Sequence, residues 1–143
     1  MDTTTLKINA VCNAGCHFCE LGGHTRNGVQ TLQQLIDKLA SDAERGAKHL
    51  RIGGGEPLLD RQLTSLITEA RRLKYASVTV ETNGMVASLP GRVDALVSAG
   101  LTRVLWAINS ADSKANADTY RLPEGHAASV SGMRAFAAAG IPI

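Results

Sequence analysis

The sequence predicts an α/β fold built on a parallel sheet, and three observations predict it. Short runs of alternating or β-branched residues are each followed by a segment with apolar residues at helical spacing. This strand-then-helix order repeats four times, the pattern of βαβ units joined by right-handed crossovers. Every stretch rich in glycine, cysteine or asparagine falls directly after a strand, which gathers them at the carboxyl edge of the sheet, where such folds place their sites. Periodicity alone suits both a (β/α) barrel and an open doubly wound sheet.

The elements follow in order. Leu6 and Ile8 alternate with Lys7 and Asn9, predicting a first strand over 6–11 that runs straight into a cysteine loop. Thr31, with Gln34 three residues later, can form a capping box. Behind it Leu32, Leu35, Ile36 and Leu39 share a face, predicting a helix over 32–45 that ends near Gly46. Residues 49–52 form a short second strand ending in a triple glycine. Asp60 is placed to cap a second helix whose Leu63, Leu66, Ile67, Ala70 and Leu73 lie together. A third strand over 77–82 ends in Asn83-Gly84, and a third helix over 91–99 buries Val93, Leu96 and Val97. A fourth strand spans 102–108, with Trp106 as a core residue. After a polar loop, a fourth helix over 128–139 carries Val130, Met133 and Phe136. Ile141-Pro142-Ile143 opens a fifth strand. A strand just beginning leaves a sheet edge that folds normally cover. The expectation is therefore that residues 1–143 are the N-terminal portion of a larger domain, as a fragment or truncated chain, or are completed by another polypeptide.

Composition removes several function classes. The chain has 143 residues, enough for one domain, and is 44% hydrophobic and 20% charged. A formal charge of +2 is too small to point to nucleic acid or an acidic membrane. Arg71, Arg72 and Lys74, the densest basic cluster, suit the carboxyl end of a helix. Lys38, Asp42 and Glu69 read as solvated helix faces. No basic leader with an apolar run begins the chain, and no stretch reaches the ~20 apolar residues of a membrane span. A cytoplasmic protein is expected, in which odd-numbered, clustered cysteines act as ligands rather than disulfides.

All three cysteines, Cys12, Cys16 and Cys19, fall within eight residues at spacing C-x3-C-x2-C. Gly15 is expected to turn the backbone through positive φ so that the thiols surround one point. Thiolates select iron–sulfur clusters, zinc or Cu(I). A cubane cluster has four irons, so three cysteines leave one iron open to a small molecule. The competing reading is a Cys3His zinc site with His17 or His24 as fourth ligand, although zinc modules usually present two separated pairs.

The triplet, with Phe18 before its third cysteine, resembles the signature of the radical S-adenosylmethionine (SAM) enzymes. Gly53-Gly54-Gly55-Glu56-Pro57 and Thr82-Asn83-Gly84 look like that family's next motifs, in order. The resemblance runs from about Leu6 to the last residue and covers the front part of the family's catalytic domain. It implies a parallel, partial TIM-type barrel: about four βα units and the start of a fifth strand, where the usual form has six units. It also implies that Cys12, Cys16 and Cys19 bind a [4Fe-4S] cluster whose fourth iron is chelated by SAM. One electron would then yield methionine and a 5′-deoxyadenosyl radical that abstracts hydrogen from a substrate. A low-potential donor such as flavodoxin or ferredoxin would supply the electron. No cysteine remains for an auxiliary cluster.

By the same resemblance Phe18 packs on adenine, and the Gly53–Pro57 loop receives the SAM amino group with Glu56 supporting it. Read without the family, the glycine loop is a strand-to-helix turn that could hold phosphate, but it lacks the Lys-Ser/Thr of a P-loop. Thr82 and Asn83 would line the SAM cleft; as bare sequence they are a strand end with an Asn-Gly turn. Ser110, then Asn109, are candidates for ribose or carboxylate contact, displaced relative to the family's common Ser-x-Asp. Arg121 occupies the position of a family arginine that can pair with an anionic group in the cleft, or is an exposed charge preceding a helix. The substrate is unidentified, with a lean to peptide or small-metabolite modification.

Overall fold

The computed structural model describes residues 2–19 and 30–143. It contains β1 (Thr3–Lys7), α1 (Leu32–Glu44), β2 (His49–Gly53), a 3-10 turn (Pro57–Leu59), α2 (Leu63–Arg72), β3 (Ser77–Thr82), α3 (Arg92–Ala99), β4 (Arg103–Trp106), α4 (Ser113–Tyr120) and α5 (Gly125–Ala138). The four strands are all parallel, in the order β1-β2-β3-β4. Each strand lies beside its successor, with no reversal of order, so the winding is that of a barrel rather than a doubly wound sheet. The α/β, partial TIM-type architecture is the expected one.

One face of the sheet makes the core. Leu6, Leu50, Ile52, Val78, Val80 and Val104 are almost fully buried against Leu35, Leu39, Leu66, Ile67 and Phe136 from the helices. The alternate residues Thr5, Lys7, Arg51, Thr79, Glu81, Arg103 and Leu105 lie on the opposite, inner face. The Thr31 capping box is present, with Thr31 N–H donating to Gln34 Oε1 at 2.9 Å and Gln34 N–H to Thr31 Oγ1 at 3.2 Å.

The structure corrects several sequence expectations. β1 begins at Thr3, in a run of β-branched threonines, and ends at Lys7. Residues 8–11 instead lie along the glycine loop, with Gly55 N–H donating to Asn9 O (2.9 Å) and Glu56 N–H to Val11 O (2.7 Å). Asp60 accepts Gln62 N–H at 2.8 Å, forming a turn before α2 rather than capping the helix, which starts at Leu63 without a side-chain cap. The polar loop after β4 contains α4, capped by Asp112 accepting Ala115 N–H at 2.7 Å. Only Ala117 and Tyr120 represent it in the core, so its apolar period is too weak to read. α5 begins at Gly125, three residues before the expected start. Residues 141–143 form no strand; they meet the sheet edge through one backbone bond, Val104 N–H to Pro142 O at 2.9 Å. No helix of the described residues is long and apolar enough to cross a membrane.

Asp42 is also not the solvated residue the helical pattern suggests. It is 1% exposed and accepts hydrogen bonds from Thr4 Oγ1 (3.1 Å) and Lys38 Nζ (2.9 Å), with Arg45 on its other oxygen. Burial pushes its carboxyl up, but the hydrogen bonds from Lys38, Arg45 and Thr4 outweigh that and hold it below the ordinary range. An Asp42→Asn chain is expected to lose about 1–3 kcal/mol in urea unfolding. Because the folded value is depressed, Asp42's contribution is present above the unfolded carboxylate value of about 3.9. It is lost as pH falls through the folded value, so the deficit of the variant shrinks in acid.

Candidate active site

A cleft of about 530 Å³ opens at the carboxyl edge of the sheet. Its walls bring together Cys12, Cys16, Cys19 and Phe18 from the first loop, and Gly53, Gly54, Gly55 and Glu56 from the loop after β2. Thr82 and Asn83 come from the end of β3, and Asn109 from beyond β4. Segments separated by up to 97 positions in the chain thus meet because each follows a parallel strand.

The loops are held by Glu56, 1% exposed. Its Oε1 accepts Leu58 N–H (2.9 Å) and the Thr82 hydroxyl (2.6 Å), and its Oε2 accepts Asn83 N–H (2.9 Å). Burial pushes its carboxyl above the ordinary range against the pull of these three bonds. The expected supporting role of Glu56 is therefore a bolt between the β2 and β3 loops. Thr82 spends its hydroxyl on the same bolt and accepts Gly84 N–H at 2.9 Å. The Asn83 side chain reaches the cysteine loop, its Nδ2 donating to Asn13 Oδ1 at 2.8 Å and approaching Cys12 Sγ at 3.9 Å. The Asn83 carbonyl accepts the Ser129 hydroxyl at 2.6 Å, and Ser129 accepts the Trp106 indole N–H at 2.8 Å, so Trp106 braces the turn from the core side. α5 presses directly on that turn at Gly132, where a Cβ would collide with Gly84 O.

The glycine loop has a reason that sequence reading assigned elsewhere. A Cβ on Gly54 would stand 2.7 Å from Asn9 O, and one on Gly55 would collide with Val11 O. These two glycines make room for residues 9–11, while Gly53 meets only Glu81 Oε2, at 3.6 Å, and leaves space toward the cleft. Asn9 reads this loop with both ends of its amide, accepting Gly55 N–H at 3.0 Å and donating to Glu56 O at 3.1 Å. A Gly55→Ala chain is expected to push residues 9–11 off the loop, costing about 1–3 kcal/mol and exposing the Glu56 amide to hydrogen exchange.

Gly15 is not in the left-handed region, contrary to expectation; its Cβ direction meets Arg121 at an ordinary 3.6 Å. Cys12 and Cys16 are half-buried and Cys19 is exposed. Burial pushes the Cys12 and Cys16 thiols up, and neighbouring thiols add to it: Cys19 for Cys12, and both Cys12 and Cys19 for Cys16. Ala14 N–H donates to Cys12 Sγ at 3.4 Å. Three thiols that must ionise to bind metal, crowded at a cleft wall, fit a cationic iron–sulfur core that would offset their mutual repulsion. Among the described residues no three His, Cys, Asp or Glu side chains converge on one metal-ion position. His17 is exposed and meets Phe18 edge-on at 6.0 Å between centroids; His24 lies outside the described residues.

Three candidates stand away from the cleft wall. Pro57 is buried as the first residue of the 3-10 turn. Ser110 accepts Asp112 N–H at 3.1 Å in the turn before α4. Arg121 packs on Gly15 from behind and borders a separate hollow with His126. Phe18, 60% exposed at the cleft mouth, belongs to no apolar cluster among the described residues. Residues the sequence reading missed are Thr5, Lys7, Arg51, Glu81 and Tyr120, all in the cleft lining. Arg51 donates to Glu81 Oε2 at 2.7 Å and 3.1 Å. The period of two in the strands, continued to Thr3 and Thr5, is the signal that would have placed the first four on the inner face.

Comparison with known proteins gives this geometry a family. The GTP 3',8-cyclase of Synechococcus sp. (strain CC9605) is 34% identical over 122 residues, 78% of this chain and 35% of the relative. That of Petrotoga mobilis is 32% identical over 126 residues, 85% of this chain and 37% of the relative. The chain thus spans about a third of the length of these relatives. The crystal structure of Streptococcus suis SuiB bound to S-adenosylmethionine superposes with a TM-score of 0.69 at 21% identity, covering 81% of this chain and 27% of that one. The model of the radical SAM superfamily, enzymes that use a [4Fe-4S] cluster and SAM, matches residues 6–143. With that match laid over the cysteine loop, the glycine loop and the winding of the sheet, the chain belongs to the radical SAM superfamily.

Proposed function

We propose that this chain carries the cluster-binding and SAM-binding portion of a radical SAM enzyme, with Cys12, Cys16 and Cys19 as the cluster ligands. The observation that supports it is the meeting of all three thiols with Phe18, the Gly53–Glu56 loop, Thr82, Asn83 and Asn109 in one cleft. When bound, the cluster supplies the electron that breaks the sulfonium C–S bond of SAM, releasing methionine and the 5′-deoxyadenosyl radical that takes hydrogen from the substrate.

The chain's own residues bind and orient. The three thiolates hold the cluster at the cleft wall, leaving one iron to SAM. Gly53 gives the amino end of SAM an approach to main-chain groups, on a loop whose shape is set by Glu56 and Asn9. Asn83 ties that loop's neighbour to the cysteine segment, and Phe18 at the mouth offers a ring for adenine. Clustered free thiols suit the reducing cytoplasm, with flavodoxin or ferredoxin as electron donor. Among the substrate classes, a small metabolite is favoured, since the curated relatives are named for GTP.

The test is anaerobic reconstitution with iron and sulfide, followed by dithionite and SAM. Release of 5′-deoxyadenosine is the expected result. A reconstituted chain that carries its cluster but leaves SAM intact would reduce the reading to cluster binding alone.

A further inference from the structure

α4, the helix that the apolar pattern did not announce, ends on a residue with unusual connections. Tyr120 is 1% exposed although it borders the cleft. Its hydroxyl donates to Ala107 O, just beyond β4, at 2.7 Å. Its carbonyl accepts Gly15 N–H at 2.9 Å, on the residue immediately before Cys16. Among the described residues this is the one backbone–backbone hydrogen bond that joins residues 12–19 to another part of the chain. The ring itself is boxed in, since a Cβ on Gly125 would lie 3.1 Å from Tyr120 Cδ2. Arg121 then leaves the helix in a left-handed conformation, φ 55° and ψ 36°, with its side chain against Gly15. One turn earlier, the fully buried Asn116 accepts Asn109 N–H at 3.1 Å. The helix therefore grips the β4 wall of the cleft at Ala107 and Asn109, and the cysteine loop at Gly15.

We propose that Tyr120 is a positioning residue for the cysteine loop: its hydroxyl anchors the end of α4 to β4, and its carbonyl thereby sets how far the three thiols stand from the opposite wall of the cleft. The proposal rests on the reading that these thiols hold the cluster. A side chain's worth of misplacement at a reacting centre costs far more than the bond that prevents it, and cluster behaviour depends on hydrogen bonding and exposure at the sulfurs. The hydroxyl is the only polar group of the ring, and Phe keeps the shape that fills the box. Tyr120→Phe therefore severs the anchor at Ala107 while keeping the carbonyl that accepts from Gly15, now on a helix end no longer tied to β4.

The experiment compares the wild-type chain with Y120F after anaerobic reconstitution. Both are expected to take up the same iron and sulfide. In Y120F, hydrogen exchange at the Gly15 amide accelerates about tenfold, and the SAM dissociation constant rises about tenfold, the scale of one lost hydrogen bond to a buried carbonyl. The change that SAM induces in the spin resonance of the reduced cluster weakens in parallel. Unaltered SAM affinity and spectrum in a cluster-loaded Y120F chain overturn the proposal, whatever Gly15 does, since a purely structural tie would leave them untouched. A wild-type chain that takes up no cluster defeats the underlying reading instead. In that event unchanged Gly15 exchange in Y120F also removes the anchor, and faster exchange retains it as a mechanical tie without a role toward SAM.

Discussion

A Cys16→Ala chain, reconstituted beside the wild type, is expected to release no 5′-deoxyadenosine above the level of a control without protein. In the proposed site each thiolate would serve a different iron, so no spare ligand could take its place. The chain holds no fourth cysteine. Loss of a mere hydrogen-bond partner of a metal ligand costs about 10–100-fold in affinity, and loss of the ligand itself should exceed about a hundredfold. Cys16 is the instructive choice because both other thiols press on it electrostatically, after burial. In the empty loop the raised thiols are neutral and Cys16 is only half-buried, so its removal should change the stability of the folded chain little. Cluster loss with a nearly unchanged melting temperature of the empty chain is the expected pairing. Cluster retention in C16A would contradict the assignment of ligands.

The second large effect is at Glu56. A Glu56→Ala chain leaves Leu58 N–H, the Thr82 hydroxyl and Asn83 N–H without their acceptor in a fully buried setting. Each unsatisfied donor costs about 1–3 kcal/mol. Even with partial relaxation the sum is a large share of the 5–15 kcal/mol that holds a domain together. Denaturant unfolding should show a loss of about 3–5 kcal/mol, and SAM binding should fail because the β2 and β3 loops separate. The pH behaviour is the reverse of Asp42's. Burial raises the folded carboxyl of Glu56 above its unfolded value of about 4.3, so its contribution to stability is greatest in acid. That contribution declines as pH climbs from the unfolded value to the raised folded one. Glu56 is thus kept as an acceptor for three donors at some cost in ionisation, whereas Asp42 is a net stabiliser at neutral pH. An E56A chain as stable as the wild type would remove the bolt from this account.

How much of this was legible in the sequence depends on how local each device is. The capping box at Thr31 and the alternation of β1 to β4 with α1 to α3 are written in spacings of two to four residues, and both are found, with β1 shifted toward the N-terminus. Glu56 was legible as a supporting residue, but its partners Thr82 and Asn83 lie 26 and 27 positions away. Gly54 and Gly55 were legible as glycines that something must approach. What approaches is Asn9 and Val11, about 46 positions earlier in the chain, not only a ligand. Asp42 looked solvated because α1 alone shows a polar residue beside Lys38 and Arg45; its burial comes from Thr4 and Tyr75, packed across from β1 and the turn before β3. α4 was missed because its buried face uses Asn116 and Tyr120, a polar residue and a hydroxyl with partners of their own, where hydropathy looks for leucine.

The inner face of the sheet carries the same lesson. Lys7, Arg51 and Glu81 line the cleft as charged side chains on strands whose other face is mostly apolar, with Thr4 and Thr82 as its buried polar residues. A barrel interior is ordinarily filled by branched apolar residues. Here the upper interior is polar and open to the cleft, which suits a space that must admit a charged cofactor.

The central claim is that three thiols hold an iron–sulfur cube whose fourth iron faces SAM. Spin resonance of the anaerobically reconstituted, dithionite-reduced chain, recorded with and without SAM, tests it most directly. The account predicts about four irons and as many sulfides per chain and a spectrum that shifts when SAM is added. A chain with no acid-labile sulfide, or a cluster spectrum indifferent to saturating SAM, would contradict it.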